Sequence, residues 1–283
     1  MVILNLLSKG EKFMKPGELL IIGGAEEKFH GGEVLQKFVD LAGRQNSGIG
    51  ILPTASEIPD EVSSDYIQTF KQLGVGRVEV IDVDSRERAE NPEILELVES
   101  LSAVFITGGD QSRLSKLIGG TRLHEKLTDK WKNGMVLAGT SAGASIMAKS
   151  MIVAADTKLN DDKLNVELGT GFGFLDHILI DQHFSQRARF DRLLSAIAEN
   201  REIIGIGIDE NTAILVHDNK FEVYGEHQVL VIDGKSSEFV DIKIGENGSE
   251  ELTISGFKLH ALTRGYSFDL SRRILILKKG KTE

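Results

Sequence analysis

Residues 135–148 read MVLAGTSAGASIMA, and this stretch decides the fold. Met135–Ala138 is a short apolar run that predicts a buried strand. It ends in Gly139-Thr140-Ser141-Ala142-Gly143, and small apolar residues at helical spacing follow. A Gly-x-Ser-x-Gly pattern between a strand and a helix predicts a sharp elbow with the Ser141 hydroxyl projecting from the sheet. Such a turn aims backbone N–H groups and a helix N-terminus at the space beside the hydroxyl, where an oxyanion would be stabilised. Without its flanks the same pattern also fits a glycine-rich turn where a helix packs closely on a sheet.

Outward from the elbow, strand-like and helix-like stretches alternate. The apolar runs are Leu19–Gly24, Gly48–Thr54, Arg77–Val83 and Ala103–Gly109. Helical patterns follow them over Gly32–Leu41, Glu61–Leu73, Pro92–Ser100, Gln111–Ile118 and Thr121–Lys132. Strands that are apolar throughout, separated by helices, predict an α/β fold: a mostly parallel sheet covered on both faces. Ligands of such sheets bind beyond the carboxyl ends of the strands. Two further runs, His177–Asp181 and Ile203–Asp209, end in Gln182-His183 and Glu210-Asn211. A serine, a histidine and a glutamate therefore each stand at a strand's carboxyl end. These are the residue types that a nucleophile, its general base and the orienter of that base require. Asp209 and Asp181 compete with Glu210 for the orienting role, and His30 is a second choice for the base.

Beyond Glu210 the pattern turns to β. Ala213–His217 and Lys220–Tyr224 flank a hairpin turn at Asp218-Asn219. Gln228–Ile232, Thr253–Thr263 and Arg272–Leu277 follow, with Gly234–Glu250 read as a polar loop. The chain is expected to form one domain over residues 1–283, with 213–277 as an antiparallel edge of the same sheet. The first fourteen residues are expected to be an extension, with Met14 an alternative start.

The chain has 283 residues, a net charge of −10 and no cysteine. The acidic balance argues against broad binding to nucleic acid or anionic membranes. The missing cysteine excludes a thiol nucleophile, disulfides and thiolate metal ligation. No pair of histidines has metal-ligand spacing, so no metal and no cofactor are expected. Val2–Leu7 lacks a preceding basic region and a small-residue cleavage site, so it does not read as a secretory signal. A cytoplasmic setting is the expectation.

Five motifs, GGAEEK (23–28), ITGGDQ (106–111), GTSAGAS (139–145), DQHFSQRARFDRL (181–193) and GIDENTA (207–213), stand in an order and spacing that resembles the cyanophycinases. These are serine peptidases of a group that also contains the aspartyl dipeptidases. The resemblance implies a fold like that of class I glutamine amidotransferases, with serine in place of cysteine. It implies Ser141 as nucleophile, His183 as general base and Glu210 as orienting acid. The oxyanion hole would come from the amides of Gly109 or Asp110 and of Ala142. Substrate contacts would fall on Gln111, Asp181, Gln182, Arg187, Arg189 and Arg192.

The implied substrate is cyanophycin, a poly-aspartate whose side chains carry arginine, cut by exopeptidase action to β-aspartyl-arginine. A free α-carboxylate calls for a guanidinium from Arg187, Arg189 or Arg192. The arginine of the substrate calls for Asp181, Gln182 or Gln111. A homodimer is also implied. The rivals are a dipeptidase for peptides with N-terminal aspartate and a catalytically silent binding protein on the same fold. Neither a glutamine amidotransferase nor a nucleotide kinase fits, since the cysteine and the Gly-Lys-Ser/Thr phosphate loop are missing.

Overall fold

The computed structural model describes residues 15–28, 32–155, 166–244 and 250–277. The expected N-terminal extension with Met14, and His30, lie outside the described residues. The strands are β1 (Leu19–Ile22), β2 (Gly48–Leu52), β3 (Arg77–Val80), β4 (Ala103–Ile106), β5 (Val136–Thr140), β6 (Ser150–Ala155), β7 (Val166–Thr170), β8 (Ile178–Gln182) and β9 (Ile204–Ile208). They continue with β10 (Thr212–His217), β11 (Lys220–Gly225), β12 (Gln228–Asp233), β13 (Phe239–Ile244), β14 (Glu250–Ser255), β15 (Lys258–Thr263), β16 (Ser267–Asp269) and β17 (Ile274–Ile276). The helices are α1 (Glu33–Ala42), α2 (Pro59–Gln72), α3 (Arg86–Ala89), α4 (Pro92–Glu99), α5 (Gln111–Ile118), α6 (Arg122–Lys132), α7 (Ala142–Ser145) and α8 (Phe190–Glu199).

A nine-stranded sheet runs in the order β17-β16-β11-β10-β1-β5-β4-β2-β3. Its parallel half, from β1 to β3, is the alternating strand and helix pattern of the sequence. Side chains alternate across it, as a period of two requires. Leu19 and Ile21 enter one apolar core, while Leu20 and Ile22 enter the other, against α1 and α2. Both faces are covered, which is why β1, β2, β4 and β5 are almost wholly apolar, while β3, at the sheet edge, carries Arg77 and Glu79.

Two expectations change. The β-rich region after Glu210 divides between sheets instead of forming one edge. Strands β10, β11, β16 and β17 extend the large sheet, whereas β12 and β15 join β8 and β9 in a second sheet of order β15-β12-β9-β8. The strands that precede His183 and Glu210 therefore belong to that second sheet, in which β8 and β9 run parallel. Alternating burial specifies a face but not the sheet a strand joins, so the division was open to either reading. The expected polar loop 234–250 contains β13, which pairs with β14 in a hairpin. In β13 Asp241 and Lys243 alternate with Val240 and Ile242, and Phe239 and Ile242 are exposed, which disguised it as a loop.

The second sheet packs against the first through Ile178, Ile180, Ile204, Ile206 and Val231, all in the same apolar core as Ile21 and Ile106. That packing brings the carboxyl ends of β8 and β9 to the carboxyl ends of β1 and β5. Among the described residues, no helix is long and apolar enough to cross a membrane.

Candidate active site

Strand β5 ends at Thr140, and Ser141 stands at φ 52°, ψ −112° before the single turn of α7. This is the strained elbow that the glycine spacing predicted, held at a cost of about 1–3 kcal/mol. The glycines permit the close approach. A Cβ on Gly143 would lie 2.2 Å from the Ile106 carbonyl oxygen, and one on Gly139 would lie 2.1 Å from the Gly143 carbonyl oxygen.

The Ser141 Oγ lies 3.0 Å from His183 Nε2. His183 Nδ1 lies 2.5 Å from Glu210 Oε1. A carboxylate at Nδ1 fixes the proton there and leaves Nε2 as the acceptor for the serine proton. Burial pushes the His183 pKa below the ordinary histidine value. The hydrogen bond to Glu210 opposes that shift, while the charges of Arg187 and Arg189 add to it. The imidazole is therefore neutral near pH 7, the state a general base needs.

The competing acids are committed elsewhere. Asp209 accepts the Ser185 amide at 2.9 Å and so ties the loop after His183 to the end of β9. Asp181 is 1% exposed. Its carboxylate receives Arg192 Nε at 2.6 Å and Nη2 through its other oxygen, with Arg189 Nη1 at 3.3 Å. Only Glu210 is left for the imidazole.

Backbone bonds from the end of β1 align the three segments. The amide of Ser141 donates to the Ile22 carbonyl at 3.1 Å. His183 donates to Gly23 at 2.8 Å, and Asn211, next to Glu210, donates to Gly24 at 2.9 Å. Three successive carbonyls thus hold the segments of Ser141, His183 and Glu210 in register. Gly24, at φ +101°, also faces the imidazole: a Cβ there would lie 2.4 Å from His183 Cε1. The Gly-Gly at the end of the first strand was visible in the sequence, but nothing in its spacing said what would pack on it.

Of the amides expected to form an oxyanion hole, that of Asp110 is taken: it donates to the Ala55 carbonyl at 2.9 Å. The Asp110 side chain caps α5 by accepting from Ser112. Among the described residues, the amides of Gly109 and Ala142 make no hydrogen bond, and Ala142 directly follows the nucleophile.

The expected substrate contacts separate into three settings. Gln182 is buried beside the nucleophile, with its Oε1 3.4 Å from Ser141 Oγ. Arg187 is exposed within electrostatic reach of His183 and makes no ion pair among the described residues. Arg189 and Arg192 are turned inward onto Asp181, and burial with the neighbouring Arg192 pushes the Arg189 pKa down to about 10, so it stays charged. This overturns the expectation that Asp181 receives a substrate guanidinium, because two arginines of the chain already neutralise it. Gln111 donates from Nε2 to the Ile152 carbonyl at 2.7 Å. A cavity of about 630 Å³ lined by Leu19, Trp131, Ile204 and Arg273 involves none of the triad. A smaller one, about 220 Å³, opens directly beside Ser141.

Comparison with known proteins gives the family. The chain is 36% identical over 261 residues to a cyanophycinase of Trichormus variabilis, covering 91% of this chain and 87% of that one. It is 38% identical over 250 residues to a cyanophycinase of Geminocystis herdmanii, covering 87% and 91%. The crystal structure of a peptidase from an acI-B1 actinobacterium superposes with a TM-score of 0.63 at 22% identity, covering 89% of this chain and 98% of that one, and shares the fold. Residues 19–224 match peptidase family S51, a span that holds the elbow, the histidine and the glutamate, and the chain belongs to that family of serine-type peptidases.

Proposed function

We propose that this protein is a serine exopeptidase that hydrolyses the poly-aspartate backbone of cyanophycin to β-aspartyl-arginine dipeptides through an acyl-enzyme on Ser141. The observation that carries the proposal is the continuous chain of contacts from Ser141 Oγ to His183 to Glu210 at the carboxyl ends of β5, β8 and β9.

His183 Nε2 takes the Ser141 proton as Oγ adds to the scissile carbonyl. The resulting oxyanion lies against the amides of Gly109 and Ala142. Collapse breaks the C–N bond, and the imidazolium gives its proton to the leaving amine. A water then loses a proton to His183 and adds to the ester carbonyl. Loss of the Ser141 oxygen, reprotonated by His183, releases the acid and restores the enzyme. Glu210 stabilises the imidazolium in both halves without accepting the proton.

The leaving amine lies on the His183 side, because His183 protonates it. A terminal dipeptide leaving there places its α-carboxylate within reach of Arg187, a free guanidinium. Arg189 and Arg192 support the site from beneath through Asp181, and Gln182 and Gln111 remain candidate polar contacts for the substrate. The proposal includes a cytoplasmic homodimer, in which a second copy would cover exposed Phe239, Ile242 and Leu259. Sedimentation reads the mass and fractionation the compartment.

Mass spectrometry of a cyanophycin digest tests the reaction. β-Aspartyl-arginine is the expected product, and Ser141→Ala is expected to lose about 10⁴–10⁶-fold in kcat with its fold intact. Near-normal hydrolysis by Ser141→Ala would end the proposal. Cleavage of Asp-Leu with no release from cyanophycin would move the activity to the aspartyl dipeptidases.

A further inference from the structure

We infer that the cavity beside Ser141 is the subsite for a guanidinium side chain on the acyl side of the scissile bond, with Glu26 as its anionic partner. This rests on the cyanophycin reading and adds to it a residue to which that reading gave no role.

Glu26 follows β1 and forms part of the wall of the 220 Å³ cavity, together with Val62 and Tyr66 of α2, Gly108, Thr140 and Ser141. A space of that size takes one side chain rather than a whole ligand. Glu26 is 6% exposed, and among the described residues no lysine or arginine makes an ion pair with it. Its carboxylate is held by two hydroxyls instead: Tyr66 donates to Oε1, and Thr140 donates to Oε2 at 2.6 Å. Burial and the adjacent carboxylate hold the Tyr66 phenol well above its ordinary pKa, so it remains a donor. A carboxylate offers about four acceptor positions, and the two hydroxyls occupy two of them. A buried anion without a cation costs free energy that an incoming cation recovers. Lys28 also lines the cavity, but its ammonium is held by Asp65 at 3.2 Å and lies over the Tyr66 ring.

The side of the sheet decides which part of the substrate enters. Tyr66 belongs to the core that covers one face of the large sheet, while Ile180 and Ile208, on the strands leading to His183 and Glu210, belong to the core on the other. The leaving group occupies the His183 face. The acyl residue therefore projects its side chain toward α2 and Glu26. With Arg187 on one flank and Glu26 on the other, the site is polarised to fit a substrate whose carboxylate and guanidinium lie on opposite sides of the cut.

The competing role for Glu26 is a structural brace, acting through Thr140 on the strained elbow. Two short synthetic substrates separate the roles, identical except that the acyl-side arginine is replaced by citrulline, which has the same length and no charge. Wild type is expected to favour the arginine substrate about 10- to 100-fold in kcat/KM, the value of one desolvated charge-assisted contact. In Glu26→Gln this ratio is expected to fall toward one through loss on the arginine substrate, with the citrulline rate within about threefold of wild type. Val62→Lys places a cation in the same wall at a half-buried helical position and is expected to do the same, which keeps the test open should Glu26→Gln fail to fold. Equal loss on both substrates, or no preference in wild type, overturns the inference while leaving the peptidase reading intact. Failure of wild type to cut the arginine substrate overturns the cyanophycin reading, and this inference with it.

Discussion

Replacing Gly24 with alanine tests whether His183 is held where it must be for catalysis. The added Cβ would stand 2.4 Å from Cε1 and 2.5 Å from Nε2 of the imidazole. Ordinary contact begins at 3.4 Å, so the ring must retreat by about 1 Å. The Ser141–His183 separation is 3.0 Å, and a displacement of that size takes it outside hydrogen-bond range. A misplacement of ~1 Å costs about 10²-fold in rate, and complete loss of general-base assistance up to about 10⁴-fold. Backbone strain must be separated from this effect, because Gly24 has φ +101°. Gly43 provides the control: its φ is +102°, and nothing lies within 4 Å of the Cβ it would gain. Both variants carry a strain of about 1–3 kcal/mol, or roughly 2–12 °C in Tm. Only Gly24→Ala is expected to lose kcat, by about 10²-fold or more relative to Gly43→Ala. Steady-state kinetics on cyanophycin, with a thermal melt of each variant, reads both. A kcat for Gly24→Ala within threefold of the control would refute the geometric account of the base.

The pH profile and the buried ion pair offer further checks. Because burial and Arg187 hold the imidazolium unfavourable, the acid limb of kcat/KM is expected below the ordinary histidine pKa. Arg187→Gln removes one opposing charge, so the limb should move to higher pH; added salt should move it the same way in wild type by screening that exposed guanidinium. Glu210→Gln removes a group that favours the charged ring, so its residual activity should show a limb at lower pH. Opposite movement in either variant would contradict the assigned causes. Arg192→Ala leaves Asp181 buried with the Gln182 amide and one longer cationic contact, to Arg189, and a loss of about 3–5 kcal/mol is expected. Denaturant unfolding that finds less than 1 kcal/mol would show that Asp181 is not held mainly by Arg192.

The parallel half of the fold was legible because its strands are short, mostly apolar and followed by amphipathic helices. The serine, histidine and glutamate were candidates because the carboxyl-end rule reduces 283 residues to a few loops, although Asp181 and Asp209 stand there beside Glu210 and the spacing does not choose between them. Sheet membership was less legible. Ile204–Ile208 reads IGIGI and is buried on both sides, a pattern that suits a strand in either sheet. The role of Asp181 was misread for a related reason. A carboxylate in the sequence carries no sign of its partner, and Arg189 and Arg192 lie one helical turn apart, a spacing equally suited to facing water or to clamping one buried acid. The Asp110 amide was claimed by Ala55, a contact between loops more than fifty positions apart that no local pattern encodes.

Strain and alignment in this protein have a common location. Nine non-glycine residues among those described have positive φ, and five of them, Ala25, Ser141, His183, Ala188 and Asn211, lie in the segments that meet at the end of β1. Each such residue costs free energy locally, so the surrounding structure must over-determine it. The over-determination here is visible as the run of carbonyls from Ile22 to Gly24, which receive the amides of Ser141, His183 and Asn211 in turn. Because those carbonyls are consecutive along the chain as it leaves β1, their spacing is fixed by the chain itself. The first apolar run of the sequence, which contributes no side chain to the triad, is for this reason the element on which its geometry depends.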